Sequence, residues 1–217
     1  MYFNNLLFFL ALLFSITACA ESSNLPKTQL AQIEAMLDED FVKKDINVAY
    51  AKYLEEAKQG DPNAQLSLGM IYKRGSYGIE RDFIKAVDWF RESAKSGNPY
   101  AQYNLGLAYL FGQGVDENLE KSYAWFMKAA IQGHANSQYE IASMYLAGEG
   151  VAKNEIKAVE WMTKAADQEM AIAAYALGEM YEDGSSGTVN IKLAKKWYKK
   201  AAEYGLSWGE DKLMELQ

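Results

Sequence analysis

Four tryptophans, Trp89, Trp125, Trp161 and Trp197, follow one another at intervals of 36 residues. A fixed step of this length marks a chain built from one supersecondary unit stacked on itself, each copy burying the apolar face its neighbour cannot bury alone. Other positions keep the same register. Ala94, Ala130, Ala166 and Ala202 step by 36, and so do Gly106, Ala142 and Gly178, with Gly69 one further residue upstream. Tyr72, Tyr109, Tyr145 and Tyr181 form another column, and Ala86, Ser122, Ala158 and Ala194 a fifth.

Within the period the pattern reads helix, loop, helix. Ala101, Leu105 and Ala108 fall at i, i+4 and i+7, one face of a first helix. Gly112-Gln113-Gly114 then breaks it, because only glycine enters the left-handed region without steric cost. Asn118 is an N-cap for a second helix that carries Ser122, Trp125, Phe126, Ala129 and Ala130 and stops at Gly133. Asp61-Pro62 and Asn98-Pro99 open two units with a capping residue and a proline suited to the first helical turn. A glycine inside a helix costs ~1 kcal/mol relative to alanine. Gly69, Gly106 and Gly178 therefore predict a close helix–helix approach, with the tryptophan as the bulk opposite. Burial of about 200 Å² of indole contributes at most ~5 kcal/mol.

The strings Ala-Gln-Tyr-Asn-Leu-Gly (101–106), Gly-Gln-Gly-Val (112–115) and Ala-Trp-Phe-Met-Lys-Ala-Ala (124–130) resemble the Sel-one-like repeat (SLR), a relative of the tetratricopeptide repeat. Comparable strings recur through residues 61–205. The resemblance implies an all-α fold, a right-handed α-solenoid of antiparallel helix pairs, with repeats at 61–97, 98–133, 134–169 and 170–205. Three local departures stand out: Glu169 where Gly97, Gly133 and Gly205 close the other units, an extra residue between Gly75 and Gly78, and Gly184-Ser185-Ser186-Gly187. Residues 28–60 read as N-terminal capping helices, a degenerate repeat with Lys52 at the tryptophan position, and 206–217 as a C-terminal capping helix.

Residues 1–18 carry no charge, are dominated by Leu, Phe and Ala, and end in small residues, the pattern of a secretory signal. Ile16-Thr17-Ala18-Cys19 resembles a bacterial lipobox, which makes Cys19 the lipidated first residue of the mature chain and 19–27 its tether. Cleavage after Ala20 is the alternative. Ala20 beside the cysteine, rather than aspartate, implies an outer-membrane lipoprotein facing the periplasm.

Cys19 is the only cysteine and His134 the only histidine. No disulfide can form within the chain, so the penicillin-hydrolysing precedent of a cysteine-rich branch of the family does not carry over. His134 follows Gly133 at the place of Asp61 and Asn98 and reads as a polar residue opening a helix. No catalytic set, metal cluster or cofactor site is expected. A net charge of −7 argues against nucleic acid as partner. Lys192, Lys195, Lys196, Lys199 and Lys200 share a helix face, read as a solvated outer wall or as a contact for an acidic partner.

By analogy with tetratricopeptide superhelices, the first helices line a concave wall. This assigns Leu66, Met70, Lys73 and Arg74 to that wall in the first unit, Tyr103, Leu107, Leu110 and Phe111 in the second, Tyr139, Ser143 and Leu146 in the third, and Tyr175, Glu179, Glu182 and Asp183 in the fourth. Tyr103, Tyr139 and Tyr175 are either ligand-facing or a packing ladder between units. Leu107, Leu110 and Phe111 are expected off the core face as an exposed apolar cluster. The function implied is a lipid-anchored adaptor binding a protein partner in its groove, without a small-molecule substrate. The alternatives are an immunity protein neutralising an antibacterial toxin, lipase-type among others, and a β-lactam- or peptidoglycan-active hydrolase.

Overall fold

The computed structural model describes the backbone of residues 39–216 and the side chains of 48–216. The chain groups into two units, Met1–Tyr50 and Ala51–Gln217. Of the first, only the opening of one helix falls among the described residues. All regular structure among them is helical: α1 (Glu39–Lys58), α2 (Pro62–Arg74), α3 (Phe83–Lys95), α4 (Pro99–Phe111), α5 (Leu119–Ile131), α6 (Ala135–Ala147), α7 (Glu155–Ala166), α8 (Ala171–Asp183), α9 (Ile191–Glu203) and α10 (Trp208–Glu215). From α2 to α10 successive helices pack on one another, which makes an all-α solenoid of four hairpins, α2–α3 through α8–α9, closed by α10.

The boundaries follow local chemistry. Asp61, Asn98 and His134 cap the first helices through side-chain acceptors, whereas Met170 caps α8 without one. Asp82, Asn118, Asn154 and Asn190 cap the second helices, each accepting from the amide three residues on. Gly75, Gly112, Gly148 and Gly184 end the first helices in the left-handed conformation. Each hairpin is then tied by one backbone bond across its loop. The amides of Asp82, Asn118, Asn154 and Asn190 donate to the carbonyls of Tyr72, Tyr109, Tyr145 and Tyr181 at 2.9, 2.9, 2.9 and 2.6 Å. The extra residue of the first loop is absorbed without loss of this bond.

The expected glycine–tryptophan contact is corrected by one position. A Cβ on Gly69, Gly106 or Gly178 would run into the ring of Phe90, Phe126 or Tyr198, the residue after each tryptophan. Those rings are buried, at 2 %, 0 % and 0 % exposure. Successive helical residues are about 100° apart, so the neighbouring indole points elsewhere. Trp89, Trp125 and Trp161 are half-buried and Trp197 buried. Lysines three residues on cover three of them, with Lys128, Lys164 and Lys200 Nζ 4.0, 3.9 and 4.4 Å from the ring centroids of Trp125, Trp161 and Trp197. Ala142 and Met162, both buried, occupy the corresponding positions of the third hairpin.

Buried residues fall into two clusters rather than one continuous core. The first joins α3 and α4 around Phe90, Leu105 and Ala108. The other runs from Phe126 to Trp197 and Ala201. Glutamine pairs join successive hairpins at the edge of the core, an exposed donor on a buried acceptor. Gln132 Nε2 donates to Gln102 Oε1, and Gln168 Nε2 to Gln138 Oε1, both at 2.8 Å. Gln65 holds the same place in the first hairpin with its Oε1 buried and unpaired. Ser96, one unit before Gln132, is too short to supply the donor.

Candidate protein-binding face

The first helices α2, α4, α6 and α8 carry the residues assigned to recognition. Adjacent first helices touch directly. Lys73 Nζ on α2 donates to Asn104 Oδ1 on α4 at 2.9 Å, and burial, then Arg74, lowers the Lys73 pKa. Lys73 is therefore half-buried and engaged within the chain, while Arg74 is exposed.

The apolar trio at the second hairpin is not a cluster on the surface. Leu107 and Leu110 are half-buried and packed against the larger core cluster, and Phe111 alone is open, at 62 % exposure. A first helix touches its own partner helix and those of adjacent units, so its apolar arc is wider than one stripe. Met70 packs on the smaller cluster and lines a recess of 270 Å³ with Tyr53, Leu66, Arg74 and Tyr77. Leu146 is half-buried on the larger cluster, and Ser143 returns its hydroxyl to the Tyr139 carbonyl at 3.1 Å.

Of the tyrosine column, two members pack between elements. Tyr103 lies 5.6 Å from the Phe126 ring and 4.8 Å from His134. Tyr175 lies 5.3 Å from Tyr198 and 6.1 Å from Trp208 on α10. Tyr103 and Tyr175 thus take part in packing between helices, and both remain half-buried, as does Tyr139. His134 caps α6, with Nδ1 accepting from the Ser137 amide at 3.2 Å. Burial lowers its pKa, in keeping with a neutral ring as acceptor.

The acidic end is partly consumed. Glu182 accepts from the Tyr198 hydroxyl and pairs with Lys212 of α10 at 3.4 Å. Asp183 accepts from the Ser185 amide at 2.7 Å. Glu179 is exposed; burial raises its pKa and Lys212 opposes that shift. The lysines of α9 remain largely outward, although Lys200 pairs with Asp167 at 3.5 Å and Lys199 with Glu203 at 3.8 Å.

One residue the sequence reading passed over is Glu140 on α6. Burial alone raises its carboxyl pKa, and its charge adds to the burial that raises the phenols of Tyr103 and Tyr139. Glu179 acts likewise on Tyr139 and Tyr175. Glu140 and Glu179 thus act electrostatically on the phenols of Tyr103, Tyr139 and Tyr175. No periodic signal could have found Glu140, because Asn104 and Ala176 occupy its place in the flanking hairpins. Cys19 lies outside the described residues. Among the described residues no group of three His, Cys, Asp or Glu could hold a metal, and no helix is long and apolar enough to cross a membrane.

The Sel1 repeat model matches residues 62–98, 99–134, 135–170 and 171–205, about two thirds of the chain. The chain belongs to the Sel1 repeat family. Among solved structures it is similar to a protective antigen of uropathogenic Escherichia coli strains displaying an SLR fold, at 34% identity and a TM-score of 0.73, covering 76% of this chain and 35% of that one. A Sel1 repeat protein from Oxalobacter formigenes follows at 29% identity and a TM-score of 0.70, covering 76% and 66%. Helicobacter pylori cysteine-rich protein B shares the fold at 24% identity and a TM-score of 0.50, covering 63% and 97%. The chain thus spans about a third of the first relative's length and just under two thirds of the second's. No curated protein matches it. Sel1 repeats generally mediate protein–protein interaction and form a scaffold that is typically non-enzymatic.

Proposed function

We propose that this chain is a lipid-anchored adaptor of the cell envelope that binds a protein partner on the face of its first helices. The observation that carries the reading is Phe111, an open aromatic ring at the end of α4, one of the first helices that also carry the half-buried Tyr103, Tyr139 and Tyr175. Interfaces concentrate their energy in aromatic anchors surrounded by polar groups. On the second helices three of the four tryptophans are covered by the chain's own lysines, and the apolar side chains left open there, Ile84, Ile131 and Ile156 among them, are aliphatic rather than aromatic. The family supports recognition over turnover, and His134 is already used as a helix cap.

Anchoring at Cys19 and a periplasmic location rest on the Ile16-Thr17-Ala18-Cys19 string after an uncharged apolar leader. Conversion of Cys19 to serine should move the protein from the membrane pellet to the soluble fraction. Retention in the pellet contradicts the anchor.

The binding reading is tested by site-specific photocrosslinking in cells making the full chain. A benzophenone side chain at position 111 should yield a discrete adduct, and the same group at Glu160, exposed on α7, should not. Equal adducts from both sites, or none from position 111, contradict it. A triple replacement of Leu107, Leu110 and Phe111 is the poorer experiment, since two of the three support the core.

A further inference from the structure

The junction between one hairpin's second helix and the loop of the next hairpin is built twice on one plan. A Cβ on Gly114 would meet the Phe83 carbonyl, and a Cβ on Gly150, 36 residues on, would meet the Leu119 carbonyl. Lys121 Nζ stands 5.4 Å from the ring centroid of Tyr109, and Lys157 Nζ 5.3 Å from that of Tyr145. The filling is what differs. At the second junction Tyr123 packs edge-on against Tyr145, with ring centroids 5.8 Å apart and hydroxyls 2.7 Å apart. Tyr145 is left 5 % exposed, and Met127 packs on the same core. At the first junction Val87 stands in the place of Tyr123, and Arg91 in that of Met127.

Valine supplies neither ring nor hydroxyl. Tyr109 is accordingly only half-buried, and no hydrogen bond among the described residues holds its hydroxyl. A recess of 550 Å³ opens there, lined by Ile84, Arg91, Tyr109, Val115, Asp116 and Lys121 with the loop glycines. A third junction also carries valine, Val159, but Thr163 replaces the arginine and Ser186 the docked glycine. The combination of missing ring, arginine and tight loop is therefore confined to the first.

The neighbouring junction shows what this geometry accepts: a phenol set edge-on to a tyrosine, hydroxyl to hydroxyl. The lining adds a charge requirement. Arg91 pairs with Asp88 at 3.0 Å, but both side chains are solvent-accessible, at 40 % and 63 %, and such a pair is weakly held. Its guanidinium and the exposed Lys121 ammonium are therefore available to a carboxylate, which forms stronger hydrogen bonds with them than a neutral acceptor would. Asp116, exposed on the loop, is the acidic group of the lining and offers an acceptor to a backbone amide.

We propose that this recess receives a tyrosine side chain of a protein partner, next to an acidic residue of that partner. The phenol takes the place that Tyr123 fills one hairpin on and meets the Tyr109 hydroxyl, while the adjacent carboxylate meets Arg91 and Lys121. The site is built from α3, the end of α4 and the α4–α5 loop. It adds a second contact to the adaptor, and its test is independent of the adduct at position 111.

The test is saturation-transfer NMR on the purified full chain in detergent, with three acetylated tripeptide amides: Asp-Tyr-Asp, Asp-Phe-Asp and Lys-Tyr-Lys. Asp-Tyr-Asp should bind at least threefold more tightly than either of the others. The chain's charge of −7 by itself favours the lysine probe, so a preference for aspartate reports the local cations. Equal affinities, tighter binding of the lysine probe, or no binding of Asp-Tyr-Asp overturns the proposal. Tyr109→Phe should erase the preference for tyrosine over phenylalanine and leave Asp-Phe-Asp within twofold of its wild-type affinity. Arg91→Met, which copies the next hairpin, should erase the preference for aspartate over lysine. Either preference persisting in its variant overturns the assignment. Val87→Tyr should fill the recess from within and weaken Asp-Tyr-Asp at least tenfold. Undiminished binding by a folded Val87→Tyr chain also contradicts the proposal, and if that variant does not fold, Tyr109→Phe and Arg91→Met decide.

Discussion

The buried side chain after each tryptophan, and the size of the residue facing it, set the spacing of every hairpin. Phe90, Phe126 and Tyr198 face Gly69, Gly106 and Gly178, while the third hairpin carries Met162 and Ala142 in those places. Large and small are thus matched unit by unit, and the match can be measured. Met162→Phe alone should destabilise by ~1–3 kcal/mol through overpacking against Ala142. Ala142→Gly alone should cost about 1 kcal/mol in helix propensity. The double variant should recover most of both losses, with a coupling above ~1 kcal/mol in a urea-denaturation cycle. Strict additivity would mean that the two side chains do not meet. Glu140 supplies a second prediction at this scale. Burial raises its folded-state pKa above the unfolded value, so the unfolded state holds its proton less tightly. The penalty is absent below the unfolded pKa, appears as pH rises toward the folded value, and is complete above it. Glu140→Gln should therefore be more stable than wild type at neutral pH, and the difference should shrink as the medium is acidified below the ordinary glutamate range. A constant difference across that range contradicts the assignment.

Helices, caps and loops were the most legible level, because each depends on a few residues close in sequence. Asn118 as a cap and Gly112 as a left-handed stop needed only local rules. What escaped was facing. Trp125 and Phe126 recur together, so the period alone does not say which of them meets Gly106, and the invariant tryptophan drew notice over a column that changes from Phe to Met to Tyr. Leu107 and Leu110 escaped because a first helix contacts more than one neighbour, which a single helical stripe does not represent. Gln102 and Gln138 escaped because their side chains pair only with residues 30 positions away. Glu169 was legible as an oddity, and its geometry gives it meaning. It adopts φ 62°, in the left-handed region, where Gly97, Gly133 and Gly205 end the other hairpins. A side chain there costs roughly 1–2 kcal/mol. Glu169→Gly should raise stability by about 1 kcal/mol in thermal unfolding, and a fall in stability would show that the carboxylate contributes more than its backbone strain removes.

At the scale of the whole molecule, each hairpin contacts its sequence neighbours, and stability accumulates along the stack. Two walls result, one of second helices with indoles under lysines, the other of first helices with phenols, carboxylates and the open Phe111 ring. The account assigns recognition to the second of these. Its most direct test is hydrogen exchange of the full chain, alone and with the purified protein that forms the adduct at position 111. Added protection should fall on α4, α6 and α8, centred on the end of α4 that carries Phe111. Protection confined to α5, α7 and α9 would place the partner on the opposite wall and contradict the account.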